Sequence, residues 1–98
     1  MNRRKHLYTI LQEECAEVVQ AVSKIKRFGI TNIQPKTGKC NFDILIEELN
    51  DVLAMVEMLE EDGLPLSGEV PDRERIVKKK AQVEKYLEYS RGTGDLVN

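Results

Sequence analysis

Two pairs of carboxylates, each with the spacing i, i+3, are the residues of this sequence best suited to chemistry. Glu14 and Glu17 form the first pair, and Glu48 and Asp51 form the second. Side chains three positions apart are neighbours on an α-helix, so each pair would place two acids on one helical face. Two such faces turned toward each other would bring four carboxylates into one pocket.

The residues around both pairs predict amphipathic helices. At about 100° per residue, Glu14 falls inside an apolar arc of the first helix and Glu17 lies at its edge. Glu48 falls inside the wider apolar arc of the second helix, and Asp51 lies at its margin. The first arc is formed by Leu7, Leu11, Val18, Val22 and Ile25, and the second by Leu45, Leu49, Val52, Leu53, Val56 and Leu59.

Four ionised carboxylates in one pocket would each cost several kcal/mol if they stayed buried and unpaired. They could protonate, pair with Lys or Arg, or bind a cation. Oxygen ligands without His or Cys suit Mg²⁺, with Mn²⁺ as a substitute, and Mg²⁺ commonly shares its shell with substrate phosphates. A di-iron site would require Glu-x-x-His, and no histidine stands at that position in either helix, so a di-iron site is not expected. The alternative is that each pair is an ordinary solvated helix edge.

The remaining pattern predicts one all-α domain over residues 1–98, with a frayed tail from about residue 92. The three predicted helices run from about residue 5 to 28, 41 to 62 and 72 to 90. Gly29 would end the first helix, Asn41 would be the N-cap of the second, and Gly92 and Gly94 would end the third.

Composition excludes several classes of protein. The 98 residues are 41% hydrophobic and 33% charged with a net charge of −2, which fits a soluble helical domain and gives no electrostatic case for nucleic-acid binding. Cys15 and Cys40 form no C-x-x-C pair, so a zinc site is not expected, and Cys15 is predicted to be a core thiol. No apolar run could span a membrane and no signal peptide is recognisable, so we expect a cytoplasmic protein.

Two motifs carry a resemblance to a known family. The segment EECAE, Glu13 to Glu17, matches E-E-x-x-E, and ELND, Glu48 to Asp51, matches E-x-x-D. In this order, on successive helices, they resemble the signature of the MazG-like all-α nucleoside triphosphate pyrophosphohydrolases. The resemblance covers about residues 7–90, and the fragments SKIKRFG and VEKYLEYS resemble the short stand-alone members that phages often encode. The 30 residues between the motifs, 18–47, are at the long end for the family.

The resemblance implies a fold, a reaction and a metal. The fold would be an antiparallel helical bundle, and the reaction would be Mg²⁺-dependent hydrolysis of an NTP or dNTP to monophosphate and pyrophosphate, serving nucleotide-pool cleaning. Glu14, Glu17, Glu48 and Asp51 would bind the metal, and the role of Glu13 stays open. A carboxylate not fully engaged by metal, Glu14 or Glu17, could act as general base. Phosphoribosyl-ATP hydrolysis is an alternative reaction from the same superfamily, but the phage-like fragments favour the MazG branch. The alternative from another class is a non-catalytic nucleotide- or partner-binding module with a relic metal site.

Three basic residues are candidates for binding the substrate phosphates. Lys24 and Arg27 end the first helix, where they would either complement its dipole or reach the triphosphate. Lys80 flanks the apolar stripe of the third helix, so its stem could lie on the core while its ammonium group reaches a phosphate.

The wide apolar arc of the second helix predicts self-association, because three helices could not cover it in a monomer. The resemblance implies a homodimer or homotetramer in which helix pairs from different copies form a four-helix core.

Overall fold

The computed structural model describes residues 2–94, which form three α-helices and no β-strand. These helices are α1 (Arg3–Phe28), α2 (Asn41–Glu61) and α3 (Arg73–Thr93), so the predicted all-α class is confirmed. The contacts divide the chain into two compact units. Residues 1–66 contain α1 and α2, and residues 67–98 contain α3. None of the helices within residues 2–94 is long and apolar enough to cross a membrane.

Both ends of α1 are fixed by hydrogen bonds of neighbouring residues. The Asn2 side chain accepts a hydrogen bond from the Lys5 backbone N–H at 2.8 Å, which is a typical N-cap. This cap starts the helix two residues before the predicted position. At the other end, Gly29 has a φ of 95° and donates its N–H to the Ile25 carbonyl. The predicted end of α1 is therefore confirmed.

The first unit is an antiparallel pair of helices, and one end of the pair is held by two arginines. Arg4 Nε lies 2.7 Å from Asp62 Oδ2, and Arg4 also donates to the Asp62 carbonyl oxygen at 2.7 Å. Arg3 Nε contacts Asp62 Oδ1 at 3.0 Å. The hydrogen bond from Arg4 holds the pKa of Asp62 below its usual value, against the effect of burial. The buried core of this end is formed by Leu7, Met55 and Leu59.

The opposite end of the pair is held by Asn41, and here the sequence prediction was wrong. The N-cap position is occupied by Cys40, which makes no side-chain capping bond. Asn41 is the first residue of α2 and only 1% exposed. Its Nδ2 donates to the Gly29 carbonyl at 2.8 Å, and its Oδ1 accepts from Gln34 Nε2 at 2.7 Å. A buried amide needs such partners, and the end of α1 and the loop supply them.

The loop between α1 and α2 is more regular than its Gly, Asn and Pro content predicts. Ile33 and Cys40 form an antiparallel bridge, and Gln34 N–H donates to the Lys39 carbonyl at 2.9 Å. Asn41 N–H donates to the Asn32 carbonyl, also at 2.9 Å. The loop is therefore a small hydrogen-bonded hairpin between the two helices.

The second unit contains α3. The Asp72 side chain accepts a hydrogen bond from Arg75 N–H at 3.2 Å and caps the helix. The helix ends at Gly94, which has the left-handed conformation with a φ of 86°. Gly92 lies inside α3, so the prediction that the helix ends at about residue 90 was wrong by one turn. Of the predicted frayed tail, residues 95–98 lie outside the described part of the chain.

The structure corrects the prediction for Cys15 and agrees with the expectation that three helices leave part of the apolar arc of α2 uncovered. Cys15 was expected in the core but is exposed, because its position on α1 lies outside the stripe of residues that packs against α2. The wide apolar arc of α2 is only half covered. Met55 and Leu59 are buried, whereas one side of the helix, here called the outer face of α2, stays 43–58% exposed at Phe42, Ile46, Leu49 and Leu53.

We predict that Asn41→Ala destabilises the protein by about 2 kcal/mol or more. The substitution leaves the Gly29 carbonyl and the Gln34 amide without their partner in a buried position. The free energy of unfolding in urea measures the effect. Asn50→Ala is the matched control, because Asn50 is exposed and only donates to Ile46 in its own helix, and we expect a change within about 0.5 kcal/mol. Equal effects of the two substitutions would contradict the role given to Asn41.

Candidate functional site

Three of the four predicted metal ligands come together between α1 and α2. One carboxylate oxygen each from Glu14, Glu48 and Asp51 lies within 4.8 Å of the other two. Glu14 comes from α1, and the other two come from α2. Glu14 and Glu48 are half-buried, whereas Asp51 is exposed. These three residues are here called the carboxylate cluster.

The fourth predicted ligand, Glu17, does not join the carboxylate cluster. It is exposed and lies together with Glu48 in the wall of an adjacent groove. Glu17 nevertheless acts on the cluster, because its charge is one of the causes that raise the pKa of Glu48. The geometry thus separates the four acids into a group of three and one neighbour.

The adjacent groove, here called the polar groove, has a volume of about 220 Å³. It runs between α1, the start of α2 and the loop. Acidic, basic and amide side chains share its wall, among them Glu17, Glu48, Gln20, Gln34, Lys24 and Lys39. A groove with both signs of charge beside a carboxylate cluster can receive a ligand that carries phosphates and a cation.

The electrostatics of the site centre on Glu48. Burial is the largest cause that raises the pKa of Glu48 above its usual value, followed by the negative charges of Glu17, Asp51 and Glu14. Lys39 lines the same groove as Glu48 but is paired with another acid, with its Nζ 2.7 Å from Glu47 Oε1. Among residues 2–94, no lysine or arginine forms an ion pair with Glu14, Glu48 or Asp51.

The donor set of the cluster fits a hard divalent cation. All three donors are carboxylate oxygens, which are the ligands that Mg²⁺ and Mn²⁺ prefer. Three protein ligands would leave positions for water and for phosphate oxygens. A cation would also remove the repulsion that raises the pKa of Glu48.

The structure distributes the three predicted phosphate-binding residues over different places. Lys24 lies in the wall of the polar groove, with its Nζ 3.5 Å from Gln34 Oε1. Arg27 lies in the last turn of α1, beside Val19 and Val22 in a different surface groove. Lys80 is an exposed residue of α3 in the second unit.

Sequence reasoning missed Lys39 and Gln34, which are loop residues of the polar groove. Neither belongs to a helix, so helical periodicity could not place them. Both positions follow from the hairpin, in which Gln34 and Lys39 are hydrogen-bonded neighbours. Their residue types gave the only available signal, since a lysine and an amide in a loop between two acid-bearing helices suit phosphate binding.

We predict that Glu48→Gln stabilises the metal-free protein at pH 7 by about 0.5 kcal/mol, the size of a like-charge pair on a helix. A carboxyl group with a raised pKa in the folded state favours folding only below its unfolded pKa, and this contribution is lost as the pH rises through the folded pKa. The wild type should therefore lose stability relative to the variant between about pH 4.5 and pH 7.

Urea unfolding in EDTA at both pH values measures this difference, and added Mg²⁺ should stabilise the wild type but not the variant. Glu57→Gln, on the exposed side of α2, is the control and should show neither effect. A wild type that gains no stability from millimolar Mg²⁺ would contradict a cation site at the cluster.

Comparisons with known proteins identified no relative of this chain. No family model matches the chain, and no curated protein and no solved structure matches it either. The resemblance to the MazG-like pyrophosphohydrolases therefore stays a prediction that rests on the residues of the two motifs, Glu13 to Glu17 and Glu48 to Asp51.

Proposed function

We propose that this protein is a Mg²⁺-dependent nucleoside triphosphate pyrophosphohydrolase, which converts an NTP or dNTP to monophosphate and pyrophosphate. The observation that carries the proposal is the convergence of Glu14, Glu48 and Asp51 from two helices. The same three residues occupy motif positions that resemble the metal-binding positions of the MazG-like family. Helix geometry alone brings Glu48 and Asp51 together, so the informative part of the observation is that Glu14 joins them from the other helix.

The carboxylate cluster would hold Mg²⁺ or, as a substitute, Mn²⁺. When bound, such an ion supplies positive charge that offsets the triphosphate and makes water easier to deprotonate. By holding such an ion, Glu14, Glu48 and Asp51 would fix the position at which the triphosphate end of the substrate binds. Phosphoryl chemistry needs positioning and charge stabilisation more than a protein nucleophile, which agrees with a site built from acids and lysines.

Glu17 is the best candidate for the general base. It lies outside the carboxylate cluster and is exposed, so its carboxylate stays available for a proton. Its position in the polar groove beside Glu48 is where an attacking water would approach the phosphates. The water oxygen would add to phosphorus as the bond between the α- and β-phosphates breaks, and Glu17 would accept the proton.

Lys24 and Lys39 would bind the phosphates from the walls of the polar groove. Lys39 would exchange its partner Glu47 for a phosphate oxygen, which a flexible lysine can do because its ion pair is half exposed. For Arg27 and Lys80, substrate binding stays a prediction, as does the assembly of helices from different copies.

The outer face of α2 supports self-association. Phe42, Ile46, Leu49 and Leu53 are all exposed, and they follow one another at spacings of four, three and four residues. This is the pattern by which apolar side chains pack between helices of a bundle. We propose that a second copy covers this face and completes a MazG-like four-helix core, as a homodimer or homotetramer.

We predict that the purified protein has a mass of two or four times the 11.2 kDa of one chain at micromolar concentration. Leu49→Glu together with Leu53→Glu should shift it to the monomer, because two buried and unpaired charges are incompatible with a helix interface. Light scattering after size exclusion measures the mass. Tyr89→Glu, at a residue of α3 that is 71% exposed, is the control. A monomeric wild type would exclude the proposed core.

For the reaction itself, we predict equimolar monophosphate and pyrophosphate from at least one common NTP or dNTP in Mg²⁺, and none in EDTA. Glu48→Gln should lower the turnover by at least about 100-fold, because it removes a metal ligand. Glu57→Gln should be as active as the wild type. Circular dichroism of each variant controls for folding.

Stepwise release of orthophosphate would show a phosphatase and contradict the mechanism. Nucleotide binding without turnover, unchanged by Glu48→Gln, would instead establish the non-catalytic module.

A further inference from the structure

A second pocket of the first unit lies directly beside the polar groove. It has a volume of about 440 Å³, which is within the usual range of small-molecule sites. Its wall is formed by the last turn of α1 and by the hairpin, with Phe28, Ile33 and Pro35 as the apolar part and Asn32 and Gln34 as amides. We propose that this loop pocket binds the nucleobase of the triphosphate and determines base specificity. The inference rests on the proposed function.

The apolar wall of the loop pocket is exposed although the hairpin around it is ordered. Phe28 is 61% exposed and Ile33 is 57% exposed. The Asn41 side chain ties the hairpin to the end of α1, because it bonds to both Gly29 and Gln34. Large apolar side chains on a rigid support form a preorganised surface, and a flat apolar ring can bind there without a large ordering cost.

The loop pocket and the polar groove are adjacent and share part of their walls. Lys24 and Gln34 line both of them and lie 3.5 Å apart through Nζ and Oε1. From Glu17 to Phe28, α1 advances eleven residues, or about 16 Å at 1.5 Å per residue. Along this length the surface changes from acids, through lysines and amides, to an aromatic ring.

This order of surfaces matches the order of groups in a nucleoside triphosphate with its cation. The phosphates and the cation would lie at the carboxylate cluster, the sugar would lie at the amides, and the base would lie at the apolar end. A purely apolar ligand would leave the lysines unused, and inorganic polyphosphate would leave Phe28 and Ile33 unused.

Two side chains of the loop pocket could recognise a base in different ways. The ring of Phe28 offers a stacking surface, which is tolerant of base identity. Asn32 carries both a donor and an acceptor, and its side chain makes no hydrogen bond to another residue within 2–94. Such an amide can pair with the edge of one base and discriminate against others. Gln34 is already bound to Lys24 and Asn41, so it serves to position the wall.

The test distinguishes binding of the base from binding of the phosphates. Calorimetry measures binding of α,β-methylene nucleoside triphosphates and of inorganic tripolyphosphate, both with Mg²⁺, to the wild type and to Phe28→Ala. We expect Phe28→Ala to weaken binding of the nucleotide analogues by about ten- to a hundredfold and to leave tripolyphosphate binding unchanged. Asn32→Ala should alter the ranking of the bases. Tyr86→Ala, at a residue of α3 that is 67% exposed, should change nothing.

Several results would overturn the inference. Nucleotide analogues that bind no more tightly than tripolyphosphate, or that bind Phe28→Ala as they bind the wild type, would exclude a base site here. If Phe28→Ala weakened tripolyphosphate binding as much as nucleotide binding, the substitution would have damaged the groove as a whole. A smaller oligomer of Phe28→Ala in light scattering would show that a second copy covers the pocket.

A separate arm distinguishes failure of the proposed function. If tripolyphosphate does not bind with Mg²⁺, but nucleoside monophosphates bind in EDTA and Phe28→Ala abolishes this, the loop pocket stands and the proposed reaction fails. If the wild type binds none of these probes, both are overturned.

Discussion

The buried side chain of Asn41 is the constraint on which the first unit depends. Its amide joins the end of α1, the hairpin and the start of α2 through bonds to Gly29 and Gln34. A buried amide with both partners present is stabilising, and with either partner missing it is costly. The chain therefore cannot shift α2 along α1 without breaking this arrangement. The register of the two helices is fixed at this end by hydrogen bonding rather than by apolar packing.

This register places the acids. Glu14 lies midway along α1, whereas Glu48 and Asp51 lie two and three turns into α2, and an antiparallel pair meets at the same level only in one register. Arg4 and Asp62 fix the other end of the pair. With both ends fixed, the repulsion within the carboxylate cluster cannot be relieved by sliding of the helices. The fold thus holds like charges together at a half-buried position, and burial first, then the neighbouring negative charges, raise the pKa of Glu48.

Helical periodicity predicted most of this from the sequence, since the three helices and the inward placement of Glu14 and Glu48 follow from a spacing of about 3.6 residues per turn. Periodicity failed where tertiary hydrogen bonds decide. Asn41 has the residue type of an N-cap but is the first residue of α2, where its buried amide bonds to Gly29 and Gln34 rather than to its own helix. The places of Lys39 and Gln34 depend on the hairpin, which local sequence patterns do not define.

The lysines of the polar groove have partners other than the carboxylate cluster, which leaves the cluster accessible to a cation. A lysine free beside the carboxylate cluster would neutralise it and exclude a cation. Instead, Lys39 is paired at 2.7 Å with Glu47, which also lines the polar groove, and Lys24 is directed to Gln34. Both ion-pair partners are about half exposed, so the pair is weak and exchangeable. The cluster stays negative while the lysines stay near, and this arrangement suits a ligand that brings its own cation together with phosphates for the lysines to bind.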